Sequence, residues 1–75
     1  MTVREYDDVV LIRDLPEEGL LAGEIGTVVH IYSDGPAYEV EFGAPTESRV
    51  AAVDPDAVRR LDPNEIHDIR RFTIA

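Results

Sequence analysis

The run Ala37-Tyr38-Glu39-Val40-Glu41-Phe42 alternates large apolar residues with acidic ones. A β-strand with one buried face places every second side chain on the same side, and that period of two is what the run follows. Such a strand needs a neighbour. Ser33-Asp34-Gly35-Pro36 ahead of it is built of turn residues. Further back, Gly23-Glu24-Ile25-Gly26-Thr27-Val28-Val29 sets two glycines before a β-branched run, the pattern of a tight turn leading into a strongly bent strand over residues 26–32. A hairpin closed on Asp34-Gly35 sets Tyr32 against Ala37, His30 against Glu39 and Val28 against Glu41. That register predicts Val29, Ile31, Tyr38, Val40 and Phe42 inside. It leaves Val28, His30, Tyr32, Glu39 and Glu41 sharing the outer face, with Asp34 at the turn.

The flanking segments extend the sheet. Residues 8–15 are β-branched and apolar on both alternating sets, as in a first strand covered on two sides. Leu15-Pro16-Glu17-Glu18-Gly19 breaks it, and Leu20 and Leu21 are expected to tuck beneath the sheet. Residues 49–53 form a fourth strand. Asp54-Pro55-Asp56-Ala57-Val58 carries the Pro and Asp of a single helical turn, and residues 59–61 supply a brief fifth strand. Asp62-Pro63-Asn64-Glu65 then combines an N-cap, a first-turn proline and a reciprocal acid, predicting a short helix over residues 63–70. Ile66, Ile69 and Phe72 fall on one stripe of it, which needs a surface to pack on. No repeat or low-complexity segment interrupts this plan. The expectation is an all-β, small SH3-like barrel of about five strands over residues 1–61, followed by a helical tail over residues 62–75 that packs on the barrel or on a partner.

With 75 residues and no cysteine, the domain must hold together on its own core or with help from a partner. Sixteen acidic residues face seven basic ones, all arginine, for a net charge of −9. Between Arg13 and Arg49 there is no basic residue, while Asp14, Glu17, Glu18, Glu24, Asp34, Glu39, Glu41 and Glu47 all lie there. An acidic body of this kind repels phosphate backbones and attracts basic protein surfaces. The same acidity also serves solubility alone. The apolar runs are far shorter than a membrane span, and Met1 precedes no basic and apolar leader, so the expected address is the cytoplasm.

Asp8-Val9-Val10-Leu11, Asp14-Leu15-Pro16, Gly23-x-x-Gly26-Thr27-Val28-Val29, Ala37-Tyr38-Glu39-Val40-Glu41-Phe42 and the late Val50 together resemble a bacterial family of short proteins known as a domain of unknown function. The resemblance spans residues 8–61. It implies an SH3-like barrel and carries no activity with it. More distantly, the Gly23 to Val29 element is similar to the glycine-containing turn of KOW modules, of small barrel subunits of photosynthetic reaction centres and of nitrile hydratase β chains. Those relatives bind RNA, ribosomal or transcription proteins, or a large catalytic subunit, and an acidic chain suits the protein-binding modes.

The inventory for catalysis is thin. There is no cysteine or lysine, no Gly-x-Ser-x-Gly, no phosphate-binding loop and no paired-carboxylate signature, so no catalytic residue is assigned. His30 beside Glu39 and Glu41 offers one imidazole and two acids, an open and weak metal set, and a cross-strand pair on a solvated face explains it better. Glu65, His67 and Asp68 read as a solvated helix face. Gly23-x-x-Gly26 leads into a strand with Glu24 beside it, which unsuits it to anions. No cofactor or metal is expected. The pairs Arg59-Arg60 and Arg70-Arg71 sit among Asp56, Asp62, Glu65 and Asp68, favouring local ion pairs.

What remains is a docking surface. The expectation is a non-catalytic interaction module, of the antidote, immunity or accessory-subunit kind, docking on a basic protein through Val28, His30, Tyr32, Asp34, Glu39, Glu41, Ile66, Ile69 and Phe72. Packing of the tail over Val28 and Tyr32 is the competing use of the same face. Two alternatives stay open: a KOW-like nucleic-acid-associated module and small-molecule binding at a homo-oligomer interface, the tail offering the oligomer contact.

Overall fold

A computed structural model describes residues 3–34, 37–43, 47–62 and 64. Five strands form one antiparallel sheet: β1 (Asp8–Leu11), β2 (Ile25–Ile31), β3 (Tyr38–Phe42), β4 (Arg49–Val53) and β5 (Val58–Arg60). Their order is β4-β3-β2-β1-β5, so β1 to β4 form a meander and β5 returns to the far side of β1. A 3-10 turn, η1 (Pro16–Glu18), lies in the long β1–β2 connection, and a second, η2 (Pro55–Ala57), leads into β5. Among the described residues the sheet does not close on itself by strand pairing. The expected tail helix, with Ile66, Ile69 and Phe72, falls outside the described residues.

β4 occupies the expected residues 49–53, and β2, β3 and β5 lie within a residue or so of their expected positions. β1 is shorter than expected. It ends at Leu11 because the backbone changes partners there: the Ile12 amide donates to Ala57 O (2.9 Å) and the Gly23 amide reaches Leu11 O (2.8 Å). Beyond that point Leu15 and Leu20 pair across η1 through bonds of 2.8 and 3.1 Å. This short loop pushes Leu20 into the core. Leu21, expected beside it, is instead 62% exposed, because its amide is held by Glu24 Oε2 at 2.7 Å and its side chain faces water.

The core consists of Val9, Leu11, Leu20, Val28, Val40, Phe42, Ala51, Val53 and Val58, with Val3, Leu15, Ile31 and Tyr38 packed around it. At its centre β2 and β3 lie side by side, with Gly26 opposite Phe42. A Cβ added to Gly26 would sit 2.5 Å from Val40 Cγ1, 2.8 Å from Glu41 O and 2.9 Å from Phe42 Cδ1. The bare backbone is what allows β2 to press against β3 here. Gly23 has a different task. Its φ of 96° turns the chain into β2, and nothing lies within 4 Å of its missing Cβ.

Side-chain bridges tie the β1–β2 connection to the other end of the sheet. Arg49, the first residue of β4, donates to Glu18 O and to Glu18 Oε1 at 2.8 Å. Arg13 reaches Asp54 at 3.5 Å and Asp56 at 3.4 Å, beside η2. These exposed pairs contribute about 0–1 kcal/mol each. Their effect is to hold the connection alongside β4. Among the described residues no helix is long and apolar enough to cross a membrane.

The two glycines predict different outcomes. Gly26→Ala should cost about 1–3 kcal/mol through overpacking and perturb amide shifts across β3. Gly23→Ala should cost about 1 kcal/mol through its left-handed backbone alone, with shifts confined to the turn. Urea denaturation and amide spectra of the two variants check both.

Candidate functional site

The outer face of β2, β3 and β4 is set by register. β3 and β4 pair Tyr38 with Val53, Glu39 with Ala52, Val40 with Ala51, Glu41 with Val50 and Phe42 with Arg49. On the other side of β3, His30 lies opposite Glu39, as the hairpin reading requires, and Tyr32 N meets Ala37 O at 3.4 Å. Below His30 the pairing shifts. A β-bulge between Val28 and His30 sets Val28 against Val40 and Thr27 against Glu41.

That bulge corrects the sequence reading of Val28. The residue expected on the outer face is fully buried, at 0% exposure, while Val29 at the bulge is half-buried. One extra residue in β2 reverses the facing of everything before it, so a continuous alternation read back from His30 gives the wrong side. Val28 therefore lies outside any docking surface. Val50 takes its place as the apolar member: it is 51% exposed and opposite Glu41, which stands between it and Thr27. Its sequence signal was weak, because Val50, Ala51 and Ala52 do not show by themselves which side of β4 faces water.

The other sequence-predicted members within the described residues do come together. His30, Tyr32, Glu39 and Glu41 share the outer face, and Asp34 is exposed at the β2–β3 loop. The Tyr32 hydroxyl donates a hydrogen bond to Glu39 Oε1. The His30 and Tyr32 rings meet edge to face, with centroids 4.6 Å apart. His30 Nδ1 lies 3.6 Å from Glu5 Oε2, a partner that the sequence did not reveal. Asp8 extends the acidic row onto β1, accepting a 2.9 Å bond from the Thr27 hydroxyl. Tyr6 is a further residue that the sequence gave no reason to single out. It is 76% exposed, with a φ of 72° in a turn closed by the bond from Asp7 N to Arg4 O.

Chemically this face presents an aromatic pair, an exposed valine and carboxylates. Tyr32 spends its proton on Glu39 rather than on His30, so no hydroxyl is aligned with the imidazole. Among the described residues no group of three or more His, Asp or Glu side chains could hold a metal ion. Three arginines are held by carboxylates outside this face: Arg13 and Arg49 as described, and Arg60, whose Nε reaches Asp7 at 3.3 Å. Two grooves flank the sheet. One, of about 330 Å³, lies between the β1–β2 connection and the end of β4, against Leu15, Pro16 and Val53. The other, of about 500 Å³, is lined by Val3, Tyr38, Pro55 and the β5 residues Val58, Arg59 and Arg60.

The family model of a domain of unknown function, DUF4926, matches residues 5–54. The chain belongs to the DUF4926 family. The matched segment contains β1 to β4 and every outer-face residue named above, whereas β5 and the tail lie beyond it. No curated protein and no solved structure matches the chain. The DUF4926 match brings no activity with it.

The Tyr32–Glu39 bond has a measurable consequence. The hydrogen bond to Glu39 raises the Tyr32 phenol above its ordinary value near 10, with desolvation and the Glu39 charge adding in the same direction. Because the folded pKa exceeds the unfolded one, the contribution to stability is present at neutral pH and is lost as pH rises through the raised value. Phenolate absorbance should show Tyr32 titrating above the ordinary phenol range, and Glu39→Gln should bring it back toward that range.

Proposed function

We propose that this DUF4926 domain is a non-catalytic interaction module that docks on a basic protein partner through the outer face of β2, β3 and β4. The observation carrying this reading is the composition of that face: Glu39 and Glu41 flank each other on β3, with exposed Tyr32, His30 and Val50 beside them. Aromatic and aliphatic side chains ringed by carboxylates supply both contact area and electrostatic selection for a basic surface. An antidote, immunity or accessory-subunit role follows from such docking, in a cytoplasmic setting. The chain path supports an SH3-like arrangement, because a four-strand meander is followed by a 3-10 turn and a fifth strand returning to β1.

A nucleic-acid-associated role, the KOW-like alternative, gains less from the structure. Arg13, Arg49 and Arg60 are engaged with carboxylates, and the exposed tyrosine of the sheet sits among acids that repel phosphate.

The test is a nuclease-treated affinity capture from the source organism, comparing the native chain with the double variant Glu39→Lys/Glu41→Lys. The expected outcome is one basic protein recovered in stoichiometric amount by the native chain and lost by the variant, with the circular dichroism of the variant unchanged. Recovery that depends on nucleic acid, or that survives the charge reversal, contradicts the reading.

A further inference from the structure

Backbone polarity picks out the edge of β4. The Val28 amide donates to Asp7 O at 2.9 Å, and Val28 O accepts from the Tyr6 amide at 2.6 Å, so both polar groups of Val28 point away from β3. Its partner Val40 must then direct its own N–H and C=O toward β4, where it pairs with Ala51. Alternation along β4 leaves the N–H and C=O of Val50 and Ala52 pointing outward, at an edge of the sheet that no other described strand covers. Edges of this kind are ordinarily blunted by lysine, proline or a bulge. The β4 sequence Arg-Val-Ala-Ala-Val has none of these, and its one charge is held by Glu18.

Both sides of this edge carry complementary features. On the outer side, Glu41 and Glu39 stand directly behind Val50 and Ala52 on β3. Beside the edge, the groove of about 330 Å³ has Leu15, Pro16, Ala52 and Val53 in its wall, among charged side chains that include Arg13 and Asp14. An added strand would point alternate side chains to these two sides.

We infer that β4 receives an extended segment of the partner as a sixth strand, the segment alternating basic and apolar residues. The inference rests on the acidic-docking reading and specifies its mode. Lysine or arginine stems lie over Val50 and the small Ala52, carrying their charges to Glu41 and Glu39. The intervening apolar side chains enter the groove, and main-chain bonds to Val50 and Ala52 supply the pairing. A second copy of this chain fits less well, since the net charge of −9 sets the two copies against each other.

The probe is a capped eight-residue peptide of alternating lysine and valine, titrated at low salt into the isotopically labelled full chain. The expected result is that the Val50 and Ala52 amides shift and become protected from exchange, and that a glutamate-valine peptide does not bind. Ala52→Pro removes one outward donor without touching the β3 ladder and should weaken binding about tenfold, the loss of roughly one hydrogen bond. Should that variant fail to fold, N-methylation of alternate peptide residues removes the same bonds from the other side. Binding of the lysine peptide that ignores both changes overturns strand addition while leaving acidic docking intact. Equal behaviour of the lysine and glutamate peptides overturns both. A dimer of the chain alone, dissociated by Ala52→Pro, overturns the basic occupant in favour of a second copy.

Discussion

The close approach of β2 to β3 at Gly26 is the constraint on which the rest of the fold depends. β2 pairs with β1 on one side and with β3 on the other. No side chain fits between Gly26 and the Val40, Glu41 and Phe42 atoms that crowd it. Pressed together there, β2 and β3 bury Val28, Val40 and Phe42 at the centre of the core. The register established at Gly26–Phe42 then runs along β3 into β4, and so decides which residues face water on three strands.

The bulge between Val28 and His30 is the second determinant, and it separates what the sequence discloses from what it hides. The alternation of residues 37–42, the turn residues after Tyr32 and the Asp-Pro signal before β5 announced the strands and the η2 turn, because each feature is local. His30, Tyr32, Glu39 and Glu41 fall on one face as expected, since His30 and Tyr32 lie on the turn side of the bulge and β3 itself carries no extra residue. Val28 was misplaced because Val28 and Val29 are chemically alike, and an extra backbone residue leaves no mark on side-chain pattern. Leu20 and Leu21 posed the same difficulty, and only the Glu24 bond to the Leu21 amide tells them apart.

Tertiary partners were the least legible. Nothing in the sequence links Glu5 to His30, Glu18 to Arg49 or Arg13 to Asp54, pairs separated by whole strands. Yet these contacts shape the surface. They engage Arg13 with Asp54 and Arg49 with Glu18, away from the carboxylates beside Tyr32 and Val50. The same ties hold the β1–β2 connection along β4, so that the free edge of the sheet borders a groove rather than open water.

The central claim is that this acidic face works by drawing in a basic protein. Its most direct test is the association rate of the captured partner with the full chain, followed by stopped-flow fluorescence across a range of ionic strength. Electrostatic docking predicts a rate that falls steeply as salt screens the face, with dissociation changing much less. A rate indifferent to salt would contradict the account.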